Sequence, residues 1–489
     1  MFSKHFRRAL VFFFCIGPPL HARIIHVPGS YATIQAAINT AADGDTVLVD
    51  PGTYFENLNF RGKKIVVASR YLLTEDPSFA VSTVINGSRP LFADTASCVL
   101  FIAGEDSSTV LQGFTLTGGT GTRWPDSHIG GYYREGGGIL TENSSPTIKN
   151  NRIVHNVAVN KQAVTSAGGG AIRCDGGNPR ILNNLIAWNA GLYGGGIVLN
   201  FTGAIIRNNV IAWNTGGGEY GGSGIWAYSN GAGAKTIENN TIAYNTSSLD
   251  GGGIRVANTS MVLRNNVIWG NTAPDGPEIK IRANGSLNVT HCNVQGGWSG
   301  DGNVDKDPAF VDSSFYINGT SPCVDAGDSN AIYNDPAAPP NPGDAIWPSM
   351  GGVRNDMGAY GGPGRKIIGS FMTSTPREPH SVVPNSFFLS QNYPNPFNPT
   401  TDIGFSVPPL AERDLGPAES RGGQLSGVGF VTLKLYDLLG REVRTLVHEW
   451  LQPGTYKIHF DASDLASGVY FYRLSSGRLI ETRRMVLAR

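Results

Sequence analysis

The sequence predicts an all-β chain: a parallel β-helix solenoid followed by a second, smaller β domain. Three observations carry this. A unit of small residues closed by isoleucine recurs five times, as Gly136-Gly137-Gly138-Ile139, Gly169-Gly170-Ala171-Ile172, Gly194-Gly195-Gly196-Ile197, Gly222-Ser223-Gly224-Ile225 and Gly251-Gly252-Gly253-Ile254. An asparagine pair follows each (Asn150-Asn151, Asn183-Asn184, Asn208-Asn209, Asn239-Asn240, Asn265-Asn266), and another asparagine (Asn156, Asn189, Asn214, Asn245, Asn271) follows five residues after each pair. The five isoleucines lie 33, 25, 28 and 29 residues apart, a period that marks stacked repeats in which each unit buries its apolar face only against its neighbours.

The runs between these landmarks decide the kind of solenoid. Aligned repeats place Ile148, Ile181, Ile206, Ile237 and Leu263 in one column and Ile153, Ile186, Ile211, Ile242 and Ile268 in another. Such runs are too short for helices, rich in β-branched residues and bounded by glycine and asparagine, so they read as strands. Coils stacked at the ordinary strand spacing of about 4.8 Å bring like residues over one another. Asparagine suits the turns because it tolerates the left-handed backbone region, and a column of its amides can form a hydrogen-bonded ladder. Glycine supplies the positive-φ corners.

The remaining elements follow in chain order. Lys4, Arg7 and Arg8, the apolar run Ala9 to Ile16 and the break at Gly17-Pro18-Pro19 have the form of a secretory signal peptide over residues 1–22. The β-helix is expected over 23–364, with an N-terminal cap at about 24–60, regular repeats at about 136–271 and a closing segment at about 296–364. A short helix within Tyr31 to Ile38, with Ser30 as N-cap, would cover the first coil and protect its open edge. Asp45 to Val49, Lys64 to Ala68 and Gly113 to Gly119 read as strands. Residues 365–385 form a Ser/Thr/Pro-bearing linker, and a second domain occupies 386–489.

Composition bounds the function. The chain has 489 residues, a formal net charge of zero and 16% charged residues, so bulk electrostatics give no reason to expect nucleic acid as a partner. Cys98, Cys174, Cys292 and Cys323 would survive export. They permit disulfides in an oxidising compartment, or serve as buried free thiols. Without a Cys-x-x-Cys spacing, zinc is not expected. Asp301, Asn303, Asp305, Asp307 and Asp312 have the spacing of a calcium loop, but Lys306 stands where that loop needs glycine, which favours a polar turn closing the solenoid.

Two resemblances can now be drawn. The N-terminal cap, the Gly-Gly-Gly-Ile and Asn-Asn repeats and the stretches Asp307-Pro308-Ala309-Phe310, Ser321-Pro322-Cys323-Val324-Asp325-Ala326-Gly327 and Asp356-Met357-Gly358-Ala359-Tyr360 resemble secreted bacterial right-handed parallel β-helix proteins. The broader group includes pectate lyases and polygalacturonases. Separately, Gln391-Asn392-Tyr393-Pro394-Asn395-Pro396-Phe397-Asn398-Pro399-Thr400-Thr401, Leu435 to Val443, Ser467 to Leu474 and Arg484 to Arg489 are similar to the C-terminal sorting domain read by the type IX secretion system. That resemblance implies an immunoglobulin-like β-sandwich, contact with the type IX machinery, and release from or attachment to the outer surface of a Gram-negative bacterium. A polar insert, about Pro409 to Gly429, departs from the family pattern.

Strand alternation nominates the functional face. If the repeat isoleucines point inward, the next residue and the third one on point outward. These columns read Leu140, Arg173, Val198, Trp226, Arg255 and Glu142, Asp175, Asn200, Tyr228, Ala257. Beside them falls the longest interruption between coils, Thr120 to Glu135, carrying Trp124, Asp126, His128, Tyr132, Tyr133 and Arg134. Loops on a rigid scaffold are where sites usually lie. Aromatic faces suit sugars and arginines suit uronate or sulfate groups, so Trp124, His128, Tyr133, Arg134, Trp226, Tyr228 and Arg255 are expected to bind substrate along a groove fitted to extracellular polysaccharide, with the protein acting as a monomer.

A catalytic alternative uses the same face. In a polysaccharide lyase acting on a uronate polymer, Glu142 and Asp175 would hold calcium and Arg173 would serve as base. In a glycoside hydrolase, Glu142 and Asp175 would form the carboxyl pair. The Asn-Thr-Asp, Asp-Asp and Gly-His-Gly signatures of polygalacturonases are absent from the sequence, which favours binding over catalysis. An adhesive or structural solenoid is the third possibility. The column His155, Trp188, Trp213, Tyr244 has the parity of the isoleucines and is expected inside or at a corner.

Overall fold

The computed structural model describes residues 22–126, 128, 130–158, 164–229, 233–311, 314–339, 341–367, 386–408, 429–451, 454–462 and 465–488. The signal segment up to residue 21, most of the linker and insert, and Asp312 lie outside the described residues.

The chain winds as a three-sided parallel β-helix, each full turn adding one short strand to each of three sheets. One sheet has ten strands, from Ile24–Val27 to Ser286–Thr290; the second has nine, from Gly52–Tyr54 to Asn293–Val294; the third has eight, from Leu58–Asn59 to Ile279–Arg282. Pairing is parallel and in register: Ile148 stands over Ile181, Ile181 over Ile206, Ile206 over Ile237 and Ile237 over Leu263. The second column pairs the same way, as do the isoleucines closing the glycine units. All lie fully buried in one core. Each buried isoleucine contributes about 1.5–3 kcal/mol.

The asparagine pair divides its work. Asn150, Asn183, Asn208, Asn239 and Asn265 all take positive φ, between 50° and 57°. The second member points inward and forms the ladder: Asn151 Nδ2 donates to Asn184 Oδ1 at 3.2 Å, Asn184 to Asn209 at 3.0 Å, Asn209 to Asn240 at 3.0 Å and Asn240 to Asn266 at 3.1 Å. A second ladder runs Asn156, Asn189, Asn214, Asn245, Asn271. Before each of its first four members stands a positive-φ aromatic: His155, Trp188, Trp213 or Tyr244. These rings occupy the corner, stacked 5.2, 5.3 and 6.2 Å apart, with Phe315 packed against them. In the glycine units, the first residue turns the corner at positive φ, and the others lie flush on the next coil; a Cβ on Gly137 would meet Gly170 O at 2.3 Å.

The ends differ in detail from expectation. The capping helix spans Ile34–Thr40 and starts one turn later than the spacing suggests, because Thr33, not Ser30, caps it; Glu56 from the next turn accepts from Ile34 N and Gln35 N. Its buried Ile34, Ala37 and Ile38 seal the core. Asn303 and Asp305 bond backbone groups of the closing turn. The closing segment then folds back along the outside: Asn239 Nδ2 donates to Asp356 O, Asn208 to Ala359 O and Asn183 to Gly364 O, so the positive-φ asparagines dock it. The four cysteines are buried and unpaired.

The C-terminal unit is a small antiparallel sandwich. Phe388–Leu389, Thr400–Val407 and Gly454–Asp461 form one sheet; Gly429–Tyr436, Glu442–Leu451, Gly468–Ser476 and Leu479–Leu487 form the other. Ile403, Phe405, Leu433, Tyr456, Tyr472 and Met485 are among its core residues. Its Asn-Pro-rich opening is pinned to the last strand where Asn395 Oδ1 accepts from Val486 N.

Candidate binding site beneath the hairpin

Alternation holds where it was needed. The core takes Ile172, Cys174, Ile197, Leu199, Ile225 and Ala227, leaving Arg173, Val198 and Trp226 pointing away from it. These outward side chains are nevertheless buried, because the interruption before Gly136 folds as a hairpin over them. Gly121–Pro125 pairs antiparallel with Tyr132–Glu135, Trp124 opposite Tyr133, and the hairpin extends sideways to Ala167–Gly168. The expected open groove is therefore a roofed cavity of about 180 Å³.

Six aromatic rings line this cavity: Tyr133, Tyr193, Phe201, Tyr220, Trp226 and Tyr228. Asp126, Arg173, Asn200 and Arg255 supply its polar groups. Trp226 holds the wall together, its ring 5.2 Å from Tyr193 and 5.5 Å from Tyr228, with Nε1 donating to Tyr220 O at 3.3 Å. The Arg255 guanidinium stands 6.0 Å above Trp226 and 3.0 Å from Asp250.

Beneath the hairpin the charges are dense. Arg173 lies 3.0 Å from Glu135, 2.8 Å from Asp175 and 3.7 Å from Asp126. Tyr193 Oη donates to Glu135 Oε1 at 2.8 Å, and Asn200 Nδ2 to Asp175 Oδ2 at 3.1 Å. His128, stacked on Phe201 with ring centres 3.6 Å apart, places Nδ1 3.4 Å from Asp175 Oδ1. Glu142, over Asp175 on the adjacent coil, is pushed up to about 8 by burial and then by the Asp175 charge. Burial also raises Glu135 and Asp175, against the pull of Arg173. Although burial opposes its charge, Arg173 is raised on balance by Glu135 and its other neighbours. A guanidinium held charged in this way cannot accept a proton, so Arg173 is an ion-pair hub rather than a base.

Of the residues nominated from the sequence, Tyr133, Trp226, Tyr228, Arg255 and Arg173 reach the cavity wall, and His128 touches two wall residues, Asp126 and Phe201. Glu142 and Trp124 do not line it. Arg134 is turned away to pin the hairpin root, its Nη1 donating to Ala93 O and Gly121 O and its Nη2 to Asp94. Residues that sequence reasoning missed include Glu135, Tyr193 and Tyr220. A signal for the first two existed: the residue before each glycine unit forms its own column, Glu135, Gly168, Tyr193, Gly221, Asp250. Its glycines make room for the large members, since a Cβ on Gly168 would meet the Tyr193 ring at 2.2 Å.

Comparison with known families agrees with this architecture. Residues 137–335 match the family model described as a right handed beta helix region, and residues 391–488 match the secretion system C-terminal sorting domain. The C-terminal sandwich is thus a type IX sorting domain, which makes this a secreted or cell-surface protein that engages the type IX machinery. No curated protein and no solved structure matches the chain.

Proposed function

We propose that this exported β-helix protein binds extracellular polysaccharide at the surface of a Gram-negative bacterium, taking one saccharide group into the cavity beneath the hairpin. The observation that carries the proposal is the combination of six ring faces and edges with Asp126, Asn200 and Arg255 around about 180 Å³. That volume is below the roughly 300–1,000 Å³ of sites for drug-sized ligands, which suits a chain end or side branch rather than a long backbone segment. Aromatic rings take the apolar faces of a sugar, and Arg255 favours a carboxylated or sulfated one. Residues 1–22 act as the signal peptide and the mature chain works as a monomer. The test is a glycan array with the mature protein. Trp226→Ala should lower affinity for the captured glycan about tenfold or more, roughly 1.4 kcal/mol. Failure to capture any glycan would leave an adhesive or structural solenoid.

Glu142 supports a second reading, glycoside hydrolysis. A carboxyl pushed up to about 8 beside the carboxyl of Asp175 has the protonation required of a general acid. Release of reducing ends, lost in Glu142→Gln, would select it.

A further inference from the structure

At the cavity edge, Asp126 and His128 from the hairpin meet Asp175 from the coil below. One ligand atom from each lies within 4.8 Å of the other two. His128 Nδ1 stands 3.4 Å from Asp175 Oδ1 and 4.0 Å from Asp126 Oδ1. Ligands at bond lengths of about 2.0–2.2 Å around one tetrahedral ion sit roughly 3.3–3.5 Å apart. The nearer pair already has that separation, and the wider one stands about 0.5 Å beyond it.

Two further features point to a cation. Asn200 Oδ1 is a buried acceptor without a hydrogen-bond donor, and Asp175 Oδ1 makes no hydrogen bond and has His128 Nδ1 beside it at 3.4 Å, both in side chains more than nine-tenths buried. Asn200 lines the cavity and its Nδ2 donates to Asp175 Oδ2, which sets its amide beside the three. A buried acceptor without a donor costs about 1–3 kcal/mol, and a metal ion would satisfy both. The second feature is the kind of group assembled. Glu135, Asp126 and Asp175 surround one guanidinium, Arg173, and the His128 imidazole stands beside Asp175 and Asp126. Carboxylates and an imidazole side by side are the ligand types that a divalent ion of the zinc class takes.

We propose that Asp126, His128 and Asp175, with Asn200 as a fourth donor, bind one divalent ion of the zinc class. An imidazole among the ligands selects zinc over calcium, which takes oxygen ligands; the set therefore differs from the calcium site that the lyase alternative would need. The partly exposed His128 leaves an entry path.

The experiment uses the mature full chain, stripped with chelator, dialysed and titrated with Zn²⁺ alone by calorimetry, with retained metal counted by elemental mass spectrometry. One equivalent should bind, and Ca²⁺ should bind at least about 100-fold more weakly. Since changes to groups around metal ligands alone cost 10–100-fold, His128→Ala should lose about 100-fold or more and Asn200→Ala about tenfold. Circular dichroism checks that each variant is folded. Trp226→Ala should keep its zinc, so zinc binding without glycan capture would sink the saccharide proposal and leave this one standing. Absence of stoichiometric zinc in the wild type, or equal affinity in folded His128→Ala, would overturn the site.

Discussion

Removing one rung of the asparagine ladder should cost far more than a surface asparagine. Asn209 is fully buried. Its Nδ2 donates to Ile181 O, Arg207 O and Asn240 Oδ1, and its Oδ1 accepts from Asn184 N at 2.8 Å and Asn184 Nδ2 at 3.0 Å. In Asn209→Ala the Asn184 N–H loses its acceptor outright. Asn184 Nδ2 keeps Ile148 O and Asn240 Oδ1 keeps Asn209 N, so those groups are only weakened. One orphaned backbone donor at about 1–3 kcal/mol, together with two or three weakened bonds at about 0.5–1 kcal/mol each, gives roughly 2–6 kcal/mol. Asn209→Asp should be worse, because a carboxylate would face Asn240 Oδ1 and two carbonyls in a dry interior. The assay is denaturant unfolding of the mature protein, with hydrogen exchange to localise the loss to the coils containing Ile181 and Ile206. Asn284→Ala, at an exposed position, is the control. A cost below about 1 kcal/mol for Asn209→Ala, or one equal to the control, would refute the ladder as a stabilising device.

Three other outcomes follow from the same geometry. Arg134→Ala removes three bonds at the hairpin root; the hairpin should become protease-sensitive at a local cost of about 2–3 kcal/mol, while the melting temperature of the solenoid barely changes. In the closing segment, Asp335 and Asp356 are pushed up to about 7 and about 8 by burial. Unfolded carboxyls lose their proton near pH 4, so between about 4 and 8 the folded state binds more protons and stability falls as pH rises. Melting temperature should drop from pH 5 to pH 8, with a shallower slope in Asp356→Asn. The slope should not vanish, because Glu142 and Glu278, pushed up to about 8 and about 7 by burial, act in the same direction. Finally, a chain lacking residues 386–489 should fail to reach the medium or the surface of cells with type IX machinery, as followed by fractionation and immunoblotting.

The scaffold was legible in the sequence because a parallel β-helix imposes one requirement on every coil. Ile181 must fit over Ile148, and Asn184 must reach Asn209, so the same residue type returns at each turn and the period can be read by eye. The site was only half legible because it is built from departures. Arg173, Trp226 and Arg255 could be placed on the outer face by alternation. The burial of Arg173 and Trp226 depended on a hairpin whose pairing of Trp124 with Tyr133 belongs to no repeat. Arg134 shows the consequence: adjacent to Tyr133 on one strand, it points to the opposite side and pins the root, and only knowledge of the roof's register assigns it there. Asp126 and His128 come to Asp175 for the same reason, across a loop whose length carries no period. In a solenoid the periodic positions report the fold and the insertion reports the chemistry. The column of Glu135, Gly168, Tyr193, Gly221 and Asp250 joins the two, since it keeps the register of the coils while its glycines yield space to the rings of the cavity.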